Sequence, residues 1–172
     1  LQCVRAAHKY GLEVHAWKMN WNLEGAPRQF KAELREAGRM QVSRTGDSIN
    51  WLCPSHPENV RLELGSLVEI AERYSVDGIH LDYIRYPGTE GCYCDNCRQR
   101  FSLTVPQSVQ VWPSDVLKPG PLKEAYLNWR VNQITRFVRL VHEQVRPVRP
   151  KLKISAAVFG DYPACVKTVG QD

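Results

Sequence analysis

Val76-Asp77-Gly78-Ile79-His80-Leu81-Asp82-Tyr83-Ile84-Arg85-Tyr86-Pro87 is the stretch that decides how this chain is read. It has the pattern of a short buried strand, entered through an Asp-Gly turn and closed by Pro87. Alternate side chains of a strand share a face, so His80 and Asp82 point one way while Ile79 and Leu81 point the other. Placing a His and an Asp on one face of a core strand, with Arg85 and Tyr86 just beyond, incurs a desolvation cost that packing alone does not require. Parallel α/β sheets bind ligands at the C-terminal ends of their strands, and the polar groups here crowd that end.

Working outward, two more runs read as strands: Leu12 to Met19 and Leu152 to Phe159, beside the central Gly78 to Ile84. Leu1 to Tyr10 reads as a helix stopped by Gly11. Ser55-His56-Pro57-Glu58 has the spacing of a capping box, and Val60, Leu64, Leu67, Val68, Ala71 and Tyr74 follow as a helical stripe. A further helix is predicted from Leu122 to Val145, ended by Pro147 and Pro150. Alternating strands and helices predict parallel pairing through right-handed crossovers. Long inserts after the strand ends, about Asn20 to Leu52 and Gly88 to Pro121, suit the loop-bearing edge of a (β/α)₈ barrel. A whole barrel takes about 250 residues, so residues 1–172 are expected to be a single fragment of such an α/β domain, truncated at both ends. An open doubly wound sheet is the alternative, but no Gly-x-Gly-x-x-Gly follows any strand.

Of the 172 residues, 43% are hydrophobic, enough for a real core. No apolar run is long enough to span a bilayer. The net charge of +5 is spread among 18 acidic residues rather than gathered in a block. That pattern describes a solvated surface better than a nucleic-acid footprint.

Cys92-Tyr93-Cys94-Asp95-Asn96-Cys97 sets three thiols within six residues. Thiols at that spacing converge on one soft cation, and tetrahedral zinc takes one more ligand. Cys53 is preferred to His56 for that place, giving a closed, structural zinc site of Cys53, Cys92, Cys94 and Cys97. It requires the residues before the capped helix to fold back over the strand end. Disulfides remain an open reading, since six cysteines make an even count; an iron–sulfur cluster fits the spacing less well. Cys3 and Cys165 read as small buried hydrophobes.

The segments Ala7-His8-Lys9-Tyr10-Gly11-Leu12-Glu13-Val14-His15-Ala16-Trp17, Asp77 to Pro87, and Val169-Gly170-Gln171-Asp172 resemble the glycosyl hydrolase-like family 10 proteins, which are TIM-barrel enzymes. Family members often run Asp-Asp-Tyr where this chain has Asp82-Tyr83-Ile84, which leaves one carboxylate at the strand end. The cysteine pattern is similar to the zinc-binding set of family-42 β-galactosidases. The resemblance implies an O-glycosyl hydrolase acting on an oligosaccharide or polysaccharide, in an extracytoplasmic or secreted setting. Such chemistry uses two carboxyl groups. Asp82 is the first candidate, tuned by His80 and by Arg85. Asp161 is the second, reached by continuing the Ser155, Ala157, Phe159 phase. Trp17, Asn20, Trp21, Tyr86 and Tyr162 close the strands and would suit a sugar cleft, with Trp17, Asn20, His80, Arg85 and Tyr86 as substrate contacts. The rivals are a non-catalytic carbohydrate-binding barrel and a metal-dependent hydrolase using His15, His80 and Asp82.

Overall fold

The computed structural model describes residues 2–172. Three parallel strands form its centre: β1 (His15–Met19), β4 (Gly78–Asp82) and β5 (Lys153–Ala156), in the order β1-β4-β5. The register pairs Trp17 with His80 and Met19 with Asp82, then His80 with Ser155. Each crossover carries a helix. Between β1 and β4 comes α3 (Pro57–Arg73), and between β4 and β5 comes α5 (Lys123–Val148). All three strands are shorter than their sequence pattern predicts. β4 stops at Asp82 because Tyr83 adopts a left-handed φ of 54°, a conformation that breaks the ladder.

The two faces of the sheet differ sharply. Ile79 and Leu81 are fully buried and share one core with Leu67 and Ala71 of α3 and with Phe137, Val141 and Val145 of α5. On the other face His15, Trp17 and Ser155 are exposed and His80 and Asp82 half-buried. The alternation read from the sequence is thus the burial pattern observed. Gly78 starts β4 because a Cβ there would lie 2.5 Å from the His15 imidazole. Asp77 anchors the entry: its Oδ2 accepts from the Val14 amide at 2.7 Å and meets His8 Nε2 at 2.7 Å. His8 belongs to α1 (Gln2–Lys9), which Gly11 follows with φ 70°.

The Asn20–Leu52 insert is more ordered than a loop. It holds α2 (Arg28–Glu36) and an antiparallel hairpin of β2 (Met40–Val42) and β3 (Ser48–Leu52). Trp21, expected at a sugar cleft, is instead wholly buried and packs edge-on against Phe137 at 4.6 Å. The capping box also fails. His56 caps α3, its side chain accepting from the Glu58 amide, while Ser55 is buried elsewhere. Helix α5 runs through Pro147 to Val148 rather than ending before it. Cys165 is buried as expected, but Cys3 is exposed. Among the described residues no helix is long and apolar enough to cross a membrane.

One ion pair sits inside the β1–α3 layer. Lys18 Nζ reaches Glu63 Oε2 at 2.7 Å, and Glu63 is buried. Burial raises the Glu63 carboxyl above its ordinary range while Lys18 pulls it back. Lys18→Met strands that carboxylate, and is expected to cost about 3–5 kcal/mol in a urea melt at neutral pH. Because a raised acid is relieved by protonation, the deficit should shrink as the pH falls through the Glu63 titration. Lys18→Met with Glu63→Leu should recover most of it. An equal loss in both variants would show that the pair is not what the layer depends on.

Candidate active site and cysteine centre

Asp82 stands at the end of β4 on the open face. Its Oδ2 accepts from Trp17 Nε1 at 3.0 Å, and its Oδ1 accepts from the Tyr83 amide at 2.7 Å. The sharp turn at Tyr83 makes the second contact possible. Asn20 fastens the backbone from the neighbouring strand end: its amide and its Nδ2 both donate to the Asp82 carbonyl, at 2.8 and 2.9 Å. The carboxylate is therefore oriented by two N–H donors while remaining half-exposed. Trp17 keeps 63% of its surface. His80, one residue pair deeper, is 2.9 Å from Ser155 Oγ through Nδ1.

Several expected substrate contacts lie elsewhere. Asn20 is fully buried, so it positions Asp82 rather than touching a sugar. Tyr86 is also fully buried, under the Arg130 guanidinium at 4.2 Å, and offers no stacking surface. Arg85 makes no ion pair with Asp82. It sits over the rings of Trp51, Tyr83 and Phe159 at 5.3, 5.1 and 5.1 Å, and donates to the Tyr86 carbonyl. Trp51 comes from the hairpin, so this cation–aromatic cluster joins three loops at the strand ends. Nothing in the local sequence of Trp51 or Phe159 signals that meeting.

Asp161 is not carried to the rim by strand phase, because β5 ends at Ala156. It instead caps α6 (Tyr162–Thr168), its carboxylate accepting from the Ala164 amide at 3.1 Å. Tyr162 is exposed and donates to Asp172. Among the described residues, His15, His80 and Asp82 do not converge as a ligand set, which removes the geometric basis for a metal-dependent hydrolase.

The cysteines do converge. The Sγ atoms of Cys53, Cys92, Cys94 and Cys97 lie within 4.8 Å of one another, all buried. Two of the separations are 3.4 Å (Cys53–Cys97) and 3.7 Å (Cys53–Cys94). A tetrahedral ion with metal–sulfur bonds of about 2.3 Å spaces its sulfurs by about 3.8 Å, so the set can hold a metal ion. The hairpin supplies the fold-back. Cys53 follows β3, with its amide on the Arg39 carbonyl, and the Tyr93 amide docks on the Val42 carbonyl of β2. Cys94 caps α4 (Asp95–Ser102) and Cys97 lies in its first turn.

Ser55 Oγ contacts both Cys53 and Cys97, at 3.2 and 3.3 Å, and takes a 2.7 Å bond from Asn96. These contacts hold the sulfurs as outer-sphere partners do in metal sites. Burial pushes the Cys53 thiol up, but hydrogen bonds from Cys92, Cys94, Cys97 and Ser55 outweigh it and hold that thiol well below its usual range. Burial first, and then the hydrogen bond each makes with Cys53, push the Cys92 and Cys97 thiols well above theirs.

The profile of the family described as Glycosyl hydrolase-like 10 matches residues 2–172. An S-layer-related protein of Niallia circulans is 27% identical over 141 residues, 74% of this chain and 9% of its own length. The PgaB (BpsB) glycoside hydrolase domain of Bordetella bronchiseptica superposes with a TM-score of 0.73 at 14% identity, over 98% of this chain and 50% of that one. A GH42 β-galactosidase from G. stearothermophilus gives 0.67 at 14% identity, over 94% and 28%. The chain thus spans at most half of these relatives. The shared architecture is part of a TIM barrel, with β1, β4 and β5 as adjacent barrel strands.

Proposed function

Because the chain belongs to the glycosyl hydrolase-like 10 family, we propose that it is part of a glycoside hydrolase acting on the O-glycosidic bonds of an oligosaccharide or polysaccharide. The carrying observation is Asp82: a half-exposed carboxylate at the C-terminal end of a barrel strand, oriented by Trp17 Nε1 and the Tyr83 amide. A fixed carboxylate with free surface suits the nucleophile or charge-stabilising role. Trp17 offers its exposed ring to the C–H face of a sugar. Cys53, Cys92, Cys94 and Cys97 would bind a structural zinc, whose contribution is to pin the loop after β4 rather than to activate water, since four thiolates leave no open position.

One observation favours a second reading. Asp161 is occupied in capping α6, so among the described residues Asp82 is the one carboxylate at the last positions of β1, β4 and β5, as a barrel that binds glycans without cleaving them would have. The full-length protein assayed on a panel of oligosaccharides separates the two. Hydrolysis should appear, and Trp17→Ala should both raise KM, by loss of the ring under the sugar, and lower kcat, because Asp82 loses one of its two orienting donors. Binding without turnover across the panel would establish the carbohydrate-binding barrel instead.

A further inference from the structure

Beyond the strand ends, the loop after β4 forms one wall of a cavity of about 530 Å³ between the start of α5 and the end of α6. Five cations line it: Arg44, Lys118, Lys123, Arg130 and Lys167. Glu124 is the acid in the wall. Two of the cations are answered, Arg44 by Glu90 at 3.2 Å and Lys123 by Glu124 at 3.1 Å. Among the described residues Lys118, Lys167 and Arg130 have no ion-pair partner.

Arg130 is the unusual member. It is only 2% exposed, and its guanidinium lies on the Tyr86 ring. One terminal nitrogen donates to the Gly88 carbonyl at 2.6 Å, while its Nε has no acceptor. A buried charge without counter-charge, with a donor left unmet, is costly to keep. A guanidinium fork is built to receive two oxygens of one anion. The Gly88 bond ties it to the loop that follows Asp82 at the end of β4.

We propose that this cavity is an anion subsite for the charged group of an acidic saccharide, a uronate carboxylate or a sulfate or phosphate ester. Arg130 receives the oxyanion from below, and Lys118 and Lys167 flank the mouth. The saccharide half of this statement rests on the glycosidase reading; the anion half does not.

The test uses the full-length protein and reads binding, not turnover. Sodium sulfate, sodium phosphate, glucuronate oligomers and neutral glucose oligomers of equal length are titrated while the Arg130 Nε–H resonance is followed by NMR. All three anions should shift that resonance, and the glucuronate oligomer should bind at least tenfold tighter than the neutral one. Lys118→Gln with Lys167→Gln, two side chains away from Asp82, should erase that preference without altering the Tm appreciably. No response to any anion, or an unchanged preference in the double variant, overturns the subsite. Anion binding without preference for the acidic oligomer overturns its assignment to saccharides. If the protein cleaves no glycan yet prefers the acidic oligomer, the hydrolase reading falls and the subsite stands.

Discussion

Asp82→Asn in the full-length protein is expected to lower glycan hydrolysis about 10³-fold or more, with KM within a factor of a few. The substitution keeps the shape of the side chain and can still accept from the Tyr83 amide. What it removes is the negative charge facing the open side. The new amide NH₂ would also confront Trp17 Nε1, a donor against a donor, where Oδ2 now accepts. That clash affects orientation and about 1 kcal/mol of stability, not the fold, so the Tm should move by only a few degrees. A kcat loss with an intact melting curve is the signature of a group that acts on the reacting atoms. Hydrolysis untouched in Asp82→Asn would end the catalytic assignment.

The second large effect belongs to the cysteine centre. Cys97→Ser should reduce bound zinc from one per chain to near none and lower the Tm by about 10–15 °C, equivalent to about 4 kcal/mol. Structural zinc contributes about 10–16 kcal/mol of binding energy in small domains that have little else. Here the four cysteines belong to a larger core that also holds Phe101, Tyr126, Trp129 and Phe137, so part of the fold should survive. Cys165→Ser is the control: that thiol is buried but outside the cluster, and its loss should leave the metal content unchanged. Paired thiols in a non-reducing mass measurement, together with absent zinc, would refute the metal site.

The parts of the fold that could be read from sequence are those with a local period. Ile79 and Leu81 against His80 and Asp82 give both the strand and its two faces, and the α3 and α5 stripes give the covering layer. The hairpin escaped because Met40–Val42 is three residues long and its pairing is a matter of distant contacts. Ser55 looked like a cap, yet its hydroxyl is drawn to the sulfurs of Cys53 and Cys97, and the imidazole one residue later takes the vacant amide. Tyr86 looked like a sugar platform because nothing nearby in sequence announces Arg130, which covers it from α5. Strand phase does not extend to Asp161, because β5 ends five residues earlier at Ala156. The four-cysteine set is legible from the spacing of Cys92, Cys94 and Cys97 with Cys53 preferred to His56, while the hairpin that folds Cys53 back to them is not.

Cys53 and Cys92 flank a span of about forty residues that contains α3, β4 and the turn at Tyr83. An ion shared by these thiols would make that span a hoop, and closing a hoop of this size is worth about 4 kcal/mol of chain entropy. Asp82 rides inside it. A protease nick anywhere between Pro54 and Gly91 would leave two polypeptides still buckled together by the metal, so the carboxylate would keep its place after the covalent backbone that carried it there had been severed.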